Sequence, residues 1–196
     1  MISDRLVSHP IVDRKTVFSG MVWDVRHDAF ELNGETVERD YIVHPGAVAI
    51  IALNDSGELL LIEQYRHAQG KMMWEAPAGL MDLANEDPLA TAKRELFEET
   101  GVRADLVDIL ARSKEEHFYD LPDDMIGRIW KGKYRGQRQI WFLMRFKGSD
   151  ADINIETEHQ EFTSWQWVDA DMVPQLIVPF KKRLYENIVA EFADLI

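Results

Sequence analysis

Nine residues, Arg94-Glu95-Leu96-Phe97-Glu98-Glu99-Thr100-Gly101-Val102, constrain this chain more than any other stretch. They set three carboxylates at i, i+3 and i+4 beside an arginine, and residues three and four apart share a helix face. The spacing predicts that Glu95, Glu98 and Glu99 converge on one small volume. Three like charges that close repel unless cations sit among them. Hard oxygen ligands of this kind suit Mg²⁺ (or Mn²⁺), and Mg²⁺ keeps several waters and bridges to substrate phosphates. An isolated E-x-x-E-E is more often a solvated acidic face, so the surroundings must decide.

Those surroundings punctuate a helix at both ends. Asp87-Pro88 offers an N-cap side chain followed by proline at the first helical position. Gly101 stands where a left-handed C-terminal cap is needed. Leu89, Ala92 and Leu96 form an apolar stripe at helical spacing, so one face packs on a sheet while the glutamates point elsewhere. Just upstream, residues 74–82 read as a strand running into a glycine-containing loop around Gly79. Strand, loop and acidic helix together form a cradle for a metal–diphosphate group.

These residues resemble the box of the Nudix hydrolases, G-x5-E-x7-R-E-U-x-E-E-x-G-U, where U is bulky and aliphatic. Arg94 to Val102 match its second part in full, and Glu86 stands at the required distance before Arg94. Six fixed residues would arise by chance roughly once in ten million windows. One departure exists: Gly79 to Glu86 is one residue longer than the pattern, with Leu80 at the strict glycine position. Some ADP-ribose pyrophosphatases resemble the chain in this lengthened loop, which reads as a tolerated insertion.

Composition narrows the remaining classes. A chain of 196 residues is one ordinary domain with room for an extension, and 46% hydrophobic with 29% charged residues is globular. The absence of cysteine excludes disulfides, a thiolate zinc site and a cysteine nucleophile, and agrees with a cytoplasmic setting. No apolar run is long enough to span a membrane. A formal charge of −13 argues against non-specific DNA or RNA binding, which relies on phosphate neutralisation by Lys and Arg.

The expected organisation is an N-terminal β extension, residues 1–43, followed by a main domain, residues 44–196. The extension reads as strands over 17–25, 29–32 and 36–43, with Asn33-Gly34 as a hairpin turn. A unit this small needs another surface for stability. In the main domain, residues 47–53 and 58–65 form a hairpin, and the apolar run of the first strand indicates burial on both faces. Further strands are predicted over 106–111, 140–146 and 164–168. A last helix opens at Pro179 and repeats Phe180, Leu184, Ile188 and Phe192 along one side. Strands covered by helices on both sides make an α/β fold, an α/β/α sandwich with a mixed sheet, which the Nudix resemblance also implies.

Resemblance beyond the box divides between two branches. The first half looks like ADP-ribose pyrophosphatases, through Arg39-Asp40-Tyr41 to Ala49, Glu63-Gln64-Tyr65-Arg66 and Glu75-Ala76-Pro77-Ala78-Gly79. In that branch the front strands swap between subunits of a homodimer and help hold the adenosine. The second half looks like bacterial RNA pyrophosphohydrolases, relatives of diadenosine tetraphosphate hydrolases. The matching text is Tyr119-Asp120-Leu121-Pro122, residues 131–139, Glu161-Phe162 with Trp165-Gln166-Trp167, and Val178-Pro179-Phe180-Lys181. A natural mosaic, an engineered chimera or a divergent member of either branch has this pattern.

The resemblance also implies roles. Glu95, Glu98 and Glu99 would hold Mg²⁺, with Gly79 set beside both metal and substrate. Arg94 resembles the box arginine that orients a catalytic glutamate. Glu161 is the first choice for general base, since its Glu-Phe setting matches the RNA branch, with Glu115 or Glu116 as runner-up. Arg39 and Arg66 resemble substrate-side arginines, and Trp23 reads as packing before it reads as an adenine site. Lys131, Lys133, Arg135 and Arg138 concentrate positive charge that suits a phosphate chain, and a solvated hairpin turn explains them as well. Tyr119 belongs to the substrate side of the RNA-branch match, and Phe180 with Lys181 matches a base-stacking and phosphate-binding pair. For Phe180, burial in the last helix is the plainer reading. ADP-ribose, cleaved to AMP and ribose 5-phosphate, is the leading substrate. The competing reading is 5′-triphosphate RNA or a diadenosine polyphosphate, and a more distant one is a non-catalytic nucleotide-binding module.

Overall fold

The structure is a computed structural model that describes every residue except 1–4, 22, 68, 121–135 and 158–159. The chain divides into two compact units, a front unit running to Pro45 and a main unit beginning at Gly46. In the front unit, β1 (Ile11–Ser19), β2 (Asp24–Leu32) and β3 (Glu35–Val43) pair antiparallel in that order. Asn33 and Gly34 have φ of 53° and 82°, the positive values that a twist-matched two-residue hairpin turn requires. The strand expected over 17–25 does not form. The chain turns instead where the Gly20 N–H donates to the Trp23 carbonyl at 3.0 Å, and β1 begins earlier, at Ile11. Any side chain at residue 20 would meet that carbonyl, since an added Cβ would lie 2.8 Å from it. Across β1 and β2, Arg14 donates two hydrogen bonds to Asp28, at 2.8 and 2.7 Å. Those bonds hold the Asp28 carboxyl below its ordinary range.

The main unit runs β4 (Ala47–Leu53), β5 (Glu58–Arg66), β6 (Lys71–Glu75), β7 (Ala78–Leu80), α1 (Pro88–Thr100), β8 (Val107–Arg112), β9 (His117–Asp120), β10 (Gly136–Phe146), β11 (Phe162–Asp169), α2 (Val173–Leu176) and α3 (Lys182–Phe192). The main path of its sheet is β11-β5-β4-β10-β8, with β6 paired to β5, β7 to β4 and β9 to β10. β4 and β10 run parallel and the other pairs antiparallel, so the sheet is mixed.

Strand alternation builds the layers. Val48, Ile50 and Ala52 of β4, with Ile140, Phe142 and Met144 of β10, pack against Ala92 and Leu96 of α1. The intervening Ala49, Ile51, Leu53, Trp141 and Leu143 pack against Leu184, Tyr185, Ile188 and Phe192 of α3. Both faces of the central strands are therefore apolar, as the continuous run over 47–53 predicts, and helices cover both, giving the expected α/β/α sandwich. The Asp87 side chain accepts from Leu89 N–H at 2.8 Å, and Gly101 closes α1 with φ of 71°. Both caps lie where the sequence puts them. No helix among the described residues is long and apolar enough to cross a membrane.

Two further elements differ from expectation. Gly79 is not in a loop: it lies in β7, opposite Val48 of β4. The last helix does not open at Pro179. A 3₁₀ turn, Pro179–Lys181, precedes α3. That tighter turn takes Phe180 out of the apolar stripe, so only Leu184, Ile188 and Phe192 of the four reach the core.

Candidate active site

Arg94 gathers the carboxylates around itself. Its Nη2 donates to Glu86 Oε2 at 2.9 Å and its Nε to Glu86 Oε1 at 3.1 Å, while Nη1 donates to Glu95 at 2.7 Å and Glu98 at 3.1 Å. The Leu80 carbonyl accepts from Nη2 at 3.3 Å, and Asp82 stands 3.5 Å away. The lengthened loop turns at Asn85, in the left-handed region with φ of 64°, and still delivers Glu86 to the guanidinium. Hydrogen bonding by Arg94 holds Glu86 below its ordinary range. Arg94 is thus one planar fork serving three glutamates.

The helix carboxylates do not converge on one point. Glu95 and Glu98 face Arg94, whereas Glu99 turns toward the sheet and accepts from Ala78 N–H at 2.9 Å. Among the described residues no three acidic or imidazole side chains stand together closely enough to grip an ion as placed. The cause is charge pairing, because the guanidinium supplies the positive charge those two carboxylates need. Among the described residues Glu99 has no such partner. Burial pushes its carboxyl well above its ordinary value, the Ala78 N–H opposes that, and the charges of Glu75, Glu95 and Glu161 add to the rise. Burial also raises Glu95, against the pull of Arg94. An all-oxygen donor set holding more negative charge than nearby cations can neutralise fits a hard divalent ion.

Gly79 makes room for this arrangement. A Cβ there would lie 1.8 Å from the Glu95 carboxyl carbon and 1.9 Å from one of its oxygens. The glycine is thus required by close approach of the helix carboxylate to β7.

Beside Glu99 lies a second group that sequence reading resolved only in part. Arg66 and Lys181, expected on the substrate side, both pair with Glu75, which is 5% exposed. Lys181 Nζ donates to Glu75 Oε2 at 3.0 Å, and Gln64 Nε2 donates to Oε1 at 2.6 Å. Burial alone would raise the Glu75 carboxyl, but Lys181 and Arg66 outweigh it and hold the group below its ordinary value. Glu75 was visible only as part of the Glu75-Ala76-Pro77-Ala78-Gly79 match, and nothing in its spacing pointed to Lys181, 106 residues away. Tyr119 and Phe180 join this group, with ring centroids 5.9 Å apart, and Lys181 Nζ stands 5.1 Å from the Tyr119 ring centre. Burial pushes the Tyr119 hydroxyl up to about 12.

Glu161, exposed just before β11, is near enough for its charge to act on Glu99. Glu116 pairs with Arg138 at 3.1 Å, and Glu115 is exposed. Arg39 lies in β3 of the front unit, exposed, with Nη1 donating to the Glu38 carbonyl at 2.7 Å. Trp23 packs on Phe18 at 5.9 Å between ring centroids, in keeping with packing. Lys131, Lys133 and Arg135 lie outside the described residues.

The NUDIX domain family matches residues 43–188, most of the chain and the whole of this cluster. The chain belongs to the Nudix family. It is similar to the RNA pyrophosphohydrolase of Sphingopyxis alaskensis, 47% identical over 160 residues, covering 82% of this chain and 99% of the relative. It is likewise similar to the RNA pyrophosphohydrolase of Novosphingobium aromaticivorans, 47% identical over 150 residues, covering 76% of this chain and 92% of the relative. Its fold resembles that of a C. elegans Ap4A hydrolase, with a TM-score of 0.55 and 19% identity over 76% of this chain and 99% of the other. This member of the Nudix family is a hydrolase of phosphoric anhydride bonds. Nudix hydrolases generally use divalent cations such as Mg²⁺, and the oxygen-rich cluster around Glu99 fits that requirement.

Proposed function

We propose that this Nudix hydrolase removes pyrophosphate from the 5′-triphosphate end of RNA, with Mg²⁺ held by Glu95, Glu98 and Glu99 beside Gly79. One observation carries the reading. The likeness to an RNA pyrophosphohydrolase takes in 160 residues, more than the stretch from Arg94 to Ile196 holds, so it reaches into the half expected to resemble ADP-ribose pyrophosphatases. The aromatic and cationic group agrees. Tyr119 and Phe180 offer stacking surfaces for unpaired bases, and Arg66 with Lys181 offers donors to phosphate oxygens.

The chain's own residues then divide the work. Arg94 holds Glu95 and Glu98 in place, and Gly79 lets Glu95 approach β7. Glu161, near enough for its charge to act on Glu99, takes the proton of the attacking water as general base. A divalent cation at these carboxylates supplies charge neutralisation at phosphoryl oxygens and acidifies water.

ADP-ribose is the second reading, favoured by the three-stranded front unit with its exposed Val12, Val17 and Phe18. A homodimer formed through those strands belongs with it. Phe180→Ala separates the two readings. On the RNA reading KM for 5′-triphosphate RNA rises about tenfold, the loss expected for about 1–3 kcal/mol of stacking. Unchanged KM and kcat on that substrate would refute the assignment of Phe180 and weaken the RNA reading.

A further inference from the structure

We propose that Glu75 is a positioning residue: it clamps Arg66 and Lys181 side by side, so that the two cations meet the phosphate chain of the substrate as one preformed fork. The inference rests on the proposed phosphate-binding role of Arg66 and Lys181 and extends it to a residue that touches no substrate.

The geometry is that of a shared anchor. Glu75 comes from β6, Arg66 from the end of β5 and Lys181 from the turn before α3. Glu75 pairs with both, which offsets the repulsion between the two like charges. Both carboxylate oxygens are used, Oε1 by Arg66 and Gln64 and Oε2 by Lys181. A buried carboxylate with two cationic partners is fixed in direction. Glu75 takes one N–H from each cation, whereas a guanidinium offers five and an ammonium three. Donors on both are therefore left for an incoming oxyanion. Two positive charges against one negative leave the group net positive, as a phosphate site needs. The same anchor fixes Lys181 over Tyr119, whose ring packs on Phe180. Phosphate contacts and base-stacking surface thus share one support.

An alternative role for Glu75 is plain stability, so the test reads binding apart from folding. Inorganic triphosphate is titrated calorimetrically into the full chain with divalent metal chelated, which excludes turnover. Glu75→Gln keeps the shape but loses the charge, and affinity is expected to fall on the order of ten- to a hundredfold, the loss of one or two charge-assisted contacts. On the working substrate the same variant raises KM more than it lowers kcat. In an Arg66→Ala, Lys181→Ala background, adding Glu75→Gln has no further effect on triphosphate affinity. If Glu75→Gln does not fold, Arg66→Ala and Lys181→Ala are compared singly and together. The clamp predicts that the double variant loses clearly less than the product of the single losses. Unchanged or tighter triphosphate binding by folded Glu75→Gln, or fully independent losses from Arg66 and Lys181, would overturn the proposal. A wild-type chain that leaves triphosphate RNA intact but binds inorganic triphosphate through this clamp refutes the RNA reading alone.

Discussion

Gly79 and Glu95 compete for one space: a Cβ on the first would stand 1.8 Å from the carboxyl carbon of the second. Gly79→Ala therefore drives the Glu95 carboxylate away from β7 and disturbs its 2.7 Å bond to Arg94. Overpacking of this kind costs about 1–3 kcal/mol of stability. A displacement of about 1 Å at a reacting centre costs on the order of a hundredfold in rate. Turnover of the folded variant is expected to fall by about that factor, measured with a melting curve to show that the chain still folds. Near wild-type turnover would mean that the position of Glu95 does not matter.

Glu98→Gln and Glu99→Gln are each expected to cut turnover by orders of magnitude at saturating Mg²⁺ while the fold is kept. Glu98 is exposed, and surface substitutions usually change stability by less than about 0.5 kcal/mol. Wild-type turnover in both variants would remove the metal assignment.

Glu99 and Glu75 move stability in opposite directions with pH. Glu99 holds its proton more tightly folded than unfolded, so its stabilising contribution is full below the ordinary value of 4.5 and is lost as pH rises through its folded value. Glu75 has the lower folded value, so its contribution is present above 4.5 and lost as pH falls through the folded value. Without metal at neutral pH, Glu99→Gln should raise Tm and Glu75→Gln should lower it, the second difference shrinking in acid. The reverse signs in a pH series of melting curves would contradict both environments.

Local chemistry in this chain was legible where one segment determines it. Asp87, Pro88 and Gly101 bound α1, Asn33-Gly34 turns the front hairpin, and the continuous apolar run over 47–53 indicates two covered faces. Side-chain direction at Glu95, Glu98 and Glu99 was not legible from helical spacing alone. Spacing puts them near one another, but Arg94 and the Ala78 N–H decide where each carboxylate turns. Phe180 misled for a related reason, since a proline-led 3₁₀ turn changes the angular step that a helical stripe assumes. Glu75 shows the other limit, because its partners come from a neighbouring strand and from far along the chain.

The front strands give a prediction about assembly. β1 is exposed along its whole length, including Ile11, Val12, Val17 and Phe18. Removing residues 1–43 is expected to abolish a homodimer or lower solubility. Light scattering of the intact chain checks the starting point, and a monomer at micromolar concentration would contradict the dimer and weaken the ADP-ribose reading with it.

Product analysis on the wild-type chain tests the central claim most directly. The enzyme is incubated with Mg²⁺ and either 5′-triphosphate RNA or ADP-ribose, and the products are separated. The account predicts pyrophosphate and 5′-monophosphate RNA from the first, at a kcat/KM well above that for ADP-ribose. Efficient conversion of ADP-ribose to AMP and ribose 5-phosphate, with triphosphate RNA left intact, would contradict it.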